Sequence, residues 1–262
     1  MTEPSFLFET TAPYYAHFRP GYPDEFFKHV VQRFKLDGRG RLLDLGCGTG
    51  QLTLPLAPYF EEVVGMDPEG EMLREAERCA TDAGIGNIRW QKGGSAHLHS
   101  DLAPTRLVTM GRSFHWMDRD AVLATLFDIV EIGGGVVMVA DHSVWADERN
   151  VEVVTKSLVK KWLGERRRAG SSYYEHPKER HEVIIARSPF RLVETFRFRY
   201  ERHWAVEQVI GYCFSTSCCS VKLLGENKQA FEDDLRAALN DLEPSGAFAE
   251  PVELEAFLLF RE

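Results

Sequence analysis

Positive charge and cysteine are both scarce in this chain. Its 262 residues carry 31 lysines and arginines against 40 aspartates and glutamates, a formal net charge of −9. Because nucleic-acid binding relies on a basic surface, this balance argues against a nucleic-acid partner. The five cysteines form no C-x-x-C pair. Their spacing therefore disfavours a metal site and a disulfide framework, and favours a reducing, cytoplasmic location.

Long apolar runs are also missing. No stretch of eighteen apolar residues occurs, so we expect no membrane-spanning helix and no membrane partner. Residues 1–5 carry neither a basic start nor an apolar run, which gives no sign of a signal peptide. The length suits one domain over residues 1–262, as a monomer or homodimer, with room for an inserted lid.

A glycine-rich turn follows the first predicted strand, at 41–45. The apolar residues of this strand leave no polar face, which indicates burial on both sides. Gly46, Gly48 and Gly50 then permit a tight turn that brings backbone N–H groups close to a ligand. Their G-x-G-x-G spacing differs from the G-x-G-x-x-G of dinucleotide-binding folds, which disfavours an NAD-dependent oxidoreductase. Asp44, just before the turn, could meet a cationic ligand group.

Together with Asp44, these glycines resemble motif I of the class I S-adenosylmethionine-dependent methyltransferases, [D/E]-x-G-x-G-x-G. The resemblance implies that the glycine loop, including Cys47, lies against the methionine part of S-adenosylmethionine and that the acid faces its amino group. It also implies an α/β fold with a Rossmann-like, doubly wound, seven-stranded sheet. That sheet would be mostly parallel, with an antiparallel last strand.

A second acid ends the second predicted strand, at 61–67. In nucleotide-binding α/β folds an acid at this position accepts hydrogen bonds from ribose hydroxyls, so Asp67 is predicted to bind ribose. Capping of the next helix is the alternative. Pro68 and Met72 follow, and the resemblance implies that Met72 packs on the adenine. It further implies that Ser95 and Ala96, after the third strand, surround the adenine amine, although His97 replaces the acid that many relatives carry there.

An aromatic segment at 10–23 precedes the first strand, and its prolines break any long helix. A short helix and turn packed on the domain is one interpretation. The segment also resembles the Y-x-x-[FY]-R-P-x-Y-P stretch of many small-molecule methyltransferases. This implies that residues 1–40 cover the cofactor, with Arg19 near the methionine carboxylate and a tyrosine near the sulfonium. Tyr14 is assigned to the cofactor and Tyr15 to the acceptor.

The end of the fourth predicted strand, at 106–110, faces the transferred methyl in this fold. The segment that follows lacks the [D/N]-P-P-[F/Y] motif of adenine methyltransferases, and the chain has no Pro-Cys pair of the cytosine-C5 type. It resembles instead the A-F-H-W-F-D type of small-molecule methyltransferases. This implies cofactor contacts from Gly111 and Ser113 and an acceptor contact from Trp116. His115 could act as general base, contact a ligand or be structural.

Residues 143–189 are longer than a plain connection and are predicted to form a helical lid over the pocket. Apolar residues fall on one face of a helix that begins near Val151, and Gly170 is expected to end it. A basic cluster at 160–168 fits a solvated helix face, with an acidic substrate or RNA as the alternative. Trp145 and Tyr173 of this region, and His142 just before it, are expected to contact the acceptor.

The predicted function is transfer of a methyl group from S-adenosylmethionine to an oxygen, nitrogen or carbon of a small molecule, such as an aromatic or secondary metabolite. Methylation of RNA or protein is the first alternative. An NAD-dependent oxidoreductase and a non-catalytic cofactor-binding protein are less favoured. Salt-sensitive RNA binding would distinguish the first alternative from the main hypothesis.

Overall fold

The computed structural model describes residues 10–146, 150–166, 168–169, 172–173 and 178–262. Its central sheet has seven strands: β1 (Arg41–Leu45), β2 (Glu62–Asp67), β3 (Ile88–Lys92), β4 (Thr105–Gly111), β5 (Val130–Ser143), β6 (Leu192–Ala205) and β7 (Ala247–Phe260). The α-helices are α1 (Ala12–Phe18), α2 (Asp24–Arg33), α3 (Thr53–Leu56), α4 (Gly70–Asp82), α5 (Arg119–Ile129), α6 (Val151–Leu163), α7 (His181–Arg187), α8 (Val206–Phe214), α9 (Val221–Leu224) and α10 (Lys228–Leu242).

The strand order in the sheet is β3-β2-β1-β4-β5-β7-β6. Strands β1 to β5 are parallel to one another. The last strand, β7, lies between β5 and β6 and is antiparallel to both. The order reverses direction after β1, as in doubly wound sheets, where ligands bind at the carboxyl ends of the strands. The predicted seven-stranded, mostly parallel sheet is confirmed.

Helices cover both faces of the sheet, because alternate side chains of each buried strand point to opposite sides. Leu42 of β1 belongs to a cluster with Phe26 and Val30 of α2. Its neighbour Leu43 belongs to the cluster on the other face, with Leu123 of α5. A one-residue shift in register would exchange these two sets, so the alternating pattern fixes the position of β1.

A third hydrophobic cluster lies at the far ends of β6 and β7, where Trp204 pairs with Phe248. Helices α6, α8 and α10 contribute the rest of this cluster. The two strands extend further than the sequence predicted, which was 190–200 and 252–260. The apolar alternation stops at residues 201–203. The two strands nevertheless stay paired there, with Arg202 opposite Glu250.

The region between β5 and β6, which is predicted to form a helical lid, contains the helices α6 and α7. Asn150 caps the start of helix α6, because its side chain accepts a hydrogen bond from the Val153 amide (3.1 Å). It ends at Gly164, where φ of +91° leaves the helical region. The prediction that Gly170 ends this helix was therefore wrong, and Gly170 lies outside the described residues. A short antiparallel pair, 168–169 with 172–173, precedes α7.

The two lysines of the basic cluster are exposed on α6, and the cluster continues past the last residue of this helix, Leu163. Lys161 donates to Asp234 of α10 (2.7 Å), and Lys160 forms an ion pair with Glu165 beyond the helix end (3.2 Å). The described lysines of the cluster thus have acidic partners within the chain. Among the described helices, none is long and apolar enough to cross a membrane.

Candidate active site

A small cavity of about 100 Å³ lies at the carboxyl edge of the parallel strands. The register places the ends of β1, β2 and β4 side by side, since Leu45 pairs with Met66 and Asp44 with Thr109. The cavity wall comprises Tyr15, Gly46, Gly48, Asp67, Pro68, Glu69, Met72, Gly94, Ser95, Gly111, Arg112, Ser113, Trp116 and Met117. Eight residues assigned to the cofactor and two assigned to the acceptor from sequence are thus brought together.

The glycine turn packs too closely for a side chain. The amides of Gly46 and Cys47 both donate to the Met66 carbonyl, at 2.8 and 3.0 Å, which bends the chain directly after β1. Gly46 has φ of +73°, and a Cβ there would lie 2.6 Å from the Ser113 Cβ. Both the backbone angle and the space therefore require glycine. Gly50 begins the following turn and lies outside the described cavity wall.

Asp67 links the end of β2 to the glycine turn. Its side chain accepts the amides of Gly48 (2.9 Å) and Glu69 (2.8 Å), one on each oxygen. A carboxylate has about four acceptor sites, so each oxygen keeps a lone pair for a ligand. Burial outweighs these two hydrogen bonds and raises the pKa of Asp67 to about 6. The group is a carboxylate at neutral pH. It lies at the cavity wall, where it can accept hydrogen bonds from ligand hydroxyls.

Asp44 lies deeper than its sequence position suggested. It is buried, and its oxygens accept the hydroxyls of Thr53 (2.5 Å) and Thr109 (2.8 Å). Burial raises its pKa to about 6 in spite of these hydrogen bonds. Its carboxylate therefore links β1 to α3 and β4, and it lies outside the described cavity wall. Cys47 is also buried, and burial raises the pKa of its thiol well above the usual value.

The two tyrosines of α1 separate in the structure. Tyr15 lines the small cavity, where its ring lies 3.6 Å from the position a Gly48 Cβ would take. Tyr14 packs away from it, edge-on against Phe214 with ring centroids 5.4 Å apart. Because helical neighbours point about 100° apart, one of the pair faces the cavity and the other joins the core.

Arg19 lies between two aromatic rings, one of which, Tyr15, lines the small cavity, while Arg19 itself lies outside the described wall. Its guanidinium is 4.9 Å from the ring centre of Tyr15 and 4.7 Å from that of Tyr212 in α8. Its Nε is buried and has no hydrogen-bond partner in the described part of the chain. A buried donor left unpaired costs about 1–3 kcal/mol, so this position favours a ligand with an acceptor oxygen.

The residues assigned to the adenine lie along α4 and the turn after β3. Pro68, Met72 and Ser95 line the cavity, and Met72 is almost fully buried. Ala96 lies outside the described wall. His97, which replaces an expected acid, accepts the Gly94 amide on Nδ1 (3.2 Å) and so closes the short turn.

The turn after β4 places Trp116 and His115 differently. A 3₁₀ turn spans Phe114–Trp116, anchored by the Ser113 hydroxyl, which donates to the Leu45 carbonyl (2.8 Å). Trp116 lines the cavity, whereas His115 lies beside it, with ring centroids 4.8 Å apart, outside the described wall. The role of His115 as general base stays a prediction.

Sequence reasoning missed Arg112, which holds the N-terminal segment against the sheet. It has φ of +53° and lines the cavity. Its guanidinium donates to Asp141 (2.6 Å) and to the Pro20 carbonyl (3.2 Å), and lies 4.7 Å from the ring centre of Tyr22. A cation directly after a predicted strand end was the available signal, but nothing in the sequence links it to these partners.

A second, larger cavity of about 560 Å³ lies between α6, α8 and the ends of β5, β6 and β7. Trp145 lines it. The other two residues assigned to the acceptor are elsewhere. The side chain of His142 is 60% exposed and lies 4.0 Å from Glu253. Tyr173 is exposed and lies under the guanidinium of Arg166, 4.0 Å from its ring centre.

Comparison with known proteins agrees with this geometry. Residues 42–134, which form β1 to the start of β5, match the family described as "Methyltransferase domain". This segment of the chain therefore resembles a methyltransferase domain. The matched segment contains the glycine turn, Asp67 and the turn after β4. Solved structures of similar fold extend the likeness to 93–95% of the chain.

Curated relatives resemble part of this chain over part of their own length. A probable S-adenosylmethionine-dependent methyltransferase of Saccharomyces cerevisiae is 30% identical over 124 residues, covering 46% of this chain and 42% of that protein. A 23S rRNA (uracil(1939)-C(5))-methyltransferase of Aeromonas hydrophila is 46% identical over 63 residues, covering 24% and 14%. The chain therefore spans less than half the length of these relatives.

Two solved structures resemble the whole fold. A putative type II methyltransferase of Anaeromyxobacter dehalogenans has a TM-score of 0.60 at 22% identity, covering 93% of this chain and 98% of that one. A methyltransferase of Thiobacillus denitrificans in complex with S-adenosylhomocysteine has a TM-score of 0.52 at 13% identity, covering 95% and 96%. At these identities the likeness establishes the class I methyltransferase fold.

Proposed function

We propose that this protein transfers a methyl group from S-adenosylmethionine to a small-molecule acceptor. The observation that carries the proposal is the joint position of Asp67 and the glycine turn at one cavity wall. Asp67 keeps acceptor sites for two ribose hydroxyls, while the turn allows backbone approach that a side chain would block. The shared family of residues 42–134 supports the same assignment.

The residues around the small cavity fit the parts of this cofactor. Asp67 would accept the ribose hydroxyls, and Met72 would pack on the adenine. Arg19 would donate its unpaired Nε–H to the carboxylate of the methionine part. When bound, the cofactor supplies an electrophilic methyl on its sulfonium. Tyr15 and Trp116 would enclose that group and exclude water, which favours transfer to an aligned acceptor.

Methylation of RNA is the second candidate, because some relatives carry that activity in their names. Two observations weigh against it for this chain. The net charge is −9, and the lysines 160 and 161 already pair with Glu165 and Asp234. Lysines that already pair with acids of the same chain contribute little to binding a phosphate backbone, because few counterions are released.

The proposal is tested by incubating the protein with S-adenosylmethionine labelled on its methyl group and a fractionated extract of the source cells. We expect label in the small-molecule fraction. A Gly46→Val protein is the control, since its branched side chain would collide with Ser113 and disable the turn. Label confined to the RNA or protein fraction would contradict the proposed acceptor class, and label in no fraction would contradict transfer itself.

The affinity for S-adenosylmethionine should fall as the pH falls below about 6. The pKa of Asp67 is raised to about 6, and the protonated acid can no longer accept from both ribose hydroxyls. The dissociation constant should stay constant above pH 7 and rise by at most about tenfold per pH unit in the acid range. Calorimetric titrations from pH 5 to 8 measure this. Asp67→Asn is the control, because any dependence that it retains reports Asp44 instead.

A further inference from the structure

The larger cavity is enclosed by elements outside the matched methyltransferase segment. Helix α6 forms one wall through Val151, Thr155 and Val159, and α8 with the turn after it forms the opposite wall. The ends of β5, β6 and β7 close the base through Trp145, Trp204 and Glu250. Its volume of about 560 Å³ lies within the range of small-molecule sites, which is roughly 300–1,000 Å³.

One partition of three side chains separates the larger cavity from the smaller one. Tyr15 lines the smaller cavity and Tyr212 lines the larger one. Arg19 lies between their rings and donates weakly to the Tyr212 hydroxyl (3.4 Å). A ligand in the larger cavity is therefore separated from the smaller cavity by this single layer of side chains.

A charged network joins the same two cavities on another side. Arg112 lines the smaller cavity and pairs with Asp141, which in turn pairs with Arg202 in the wall of the larger one. Arg202 also pairs with Glu250 (3.2 Å). Every member of this network is largely buried, so the two cavity walls are held in a fixed relation to each other.

The wall of the larger cavity offers aromatic surface and cations that already have partners within the chain. Trp145, Trp204 and Tyr212 supply flat apolar faces. Of the four described cations of the wall, three pair with acids of the same wall: Lys156 with Glu152, Lys160 with Glu165, and Arg202 with Glu250. The fourth, Arg166, lies over the ring of Tyr173. A ligand with its own net charge would find these partners occupied, so the wall favours an uncharged molecule.

Two unpaired polar groups add hydrogen-bonding capacity. The Trp145 Nε1 and the Thr155 hydroxyl are buried and have no partner among the described residues. Cys213 adds an uncharged surface, because burial raises the pKa of its thiol to about 12. Aromatic walls with a few unsatisfied polar groups are the usual composition of sites for apolar ligands with one or two polar atoms.

We propose that the larger cavity binds the methyl acceptor, and that this acceptor is an uncharged, planar molecule with a hydroxyl group. This inference rests on the proposed function. The hydroxyl would point toward Arg19 and Tyr15, and these two side chains would move apart to let its oxygen reach the methyl group. In the reaction its oxygen forms a bond to the methyl carbon, the carbon–sulfur bond breaks with its electron pair returning to sulfur, and the hydroxyl proton leaves to solvent.

The test compares the same substitution at two positions of α6. Val159 lines the cavity, whereas Val153 is 46% exposed on the other side of the helix. Val159→Trp should fill the cavity and weaken binding of 2-naphthol, measured by equilibrium dialysis, at least tenfold. The Val153→Trp protein should bind 2-naphthol as tightly as the unchanged protein does. Both variants should keep their affinity for S-adenosylmethionine in calorimetry, and V159W should lose methyl transfer to the small-molecule fraction.

The outcomes separate this inference from the proposed function. Failure of the unchanged protein to bind S-adenosylmethionine contradicts the function, whatever 2-naphthol does. Normal cofactor binding with no 2-naphthol binding, or with equal binding and transfer by V159W, overturns the acceptor cavity alone. Tighter binding of the anion 2-naphthoate overturns an uncharged acceptor. If V159W does not fold, Val151→Phe narrows the same cavity and is judged by the same measurements.

Discussion

Replacing Asp67 with alanine should weaken S-adenosylmethionine binding by roughly 10- to 100-fold. Hydrogen bonds to a charged group contribute about 1.5–3 kcal/mol each, and about 1.4 kcal/mol corresponds to a tenfold change. The carboxylate also accepts the Gly48 and Glu69 amides, so its removal loosens the glycine turn as well as the ribose contact. Calorimetric titration with S-adenosylmethionine measures the change.

The control for this variant is Asp82→Asn, at the end of the helix that follows Asp67. Asp82 lies on the surface in an ion pair with Arg78, so its removal should leave cofactor affinity unchanged. Asp67→Asn should fall between the two, because its amide keeps one acceptor oxygen. An Asp67→Ala protein that folds and binds the cofactor as tightly as the unchanged protein would remove Asp67 from the site.

Replacing Asp141 with alanine should destabilise the protein by about 3–5 kcal/mol. The Asp141 side chain is 6% exposed and lies between the guanidinium groups of Arg112 and Arg202. Its removal leaves two buried cations near each other, and Arg202 keeps Glu250 and the Tyr200 hydroxyl as partners. Breaking a buried ion pair from one side typically costs this much. Urea unfolding at pH 7 measures the free energy of unfolding.

The pH dependence of this effect has a definite sign. Desolvation would raise the pKa of Asp141, but Arg112 and Arg202 outweigh it and hold the pKa well below its usual value. Its stabilising contribution is therefore present above the unfolded-state pKa of about 4 and is lost as the pH falls through the lower folded-state value. Asp128→Ala, at an exposed acid of α5, is the control and should cost less than about 0.5 kcal/mol. Equal stability of D141A and D128A would contradict the role of the network.

The parallel half of the fold was predictable because its strands are short, apolar and bounded by glycine or acid. Each of its signals depends only on residues close together in the sequence: the alternation of Leu42 and Leu43, the glycine turn, and the acid at Asp67. The antiparallel half was less visible. Residues 201–203 of β6 are polar, and their pairing with β7 depends on a partner strand about fifty residues later.

The site residues, too, were predictable only where the signal is local in the sequence. Residues on the turns after β1, β2 and β4 were found because the sequence motif and the sheet edge coincide. Arg112, Asp141 and Arg202 are separated by 29 and 61 positions in the sequence, and no local pattern joins them. The choice between Tyr14 and Tyr15 depended on the rotation of α1 against α8, and the helix end at Gly164 rather than Gly170 depended on a backbone angle.

The measurement that tests the central claim most directly is a pair of calorimetric titrations of the unchanged protein, with S-adenosylhomocysteine and with NAD. The geometry of the glycine turn and Asp67 predicts saturable one-to-one binding of S-adenosylhomocysteine and no measurable binding of NAD. Binding of NAD without binding of S-adenosylhomocysteine would contradict the methyltransferase assignment and restore the oxidoreductase alternative.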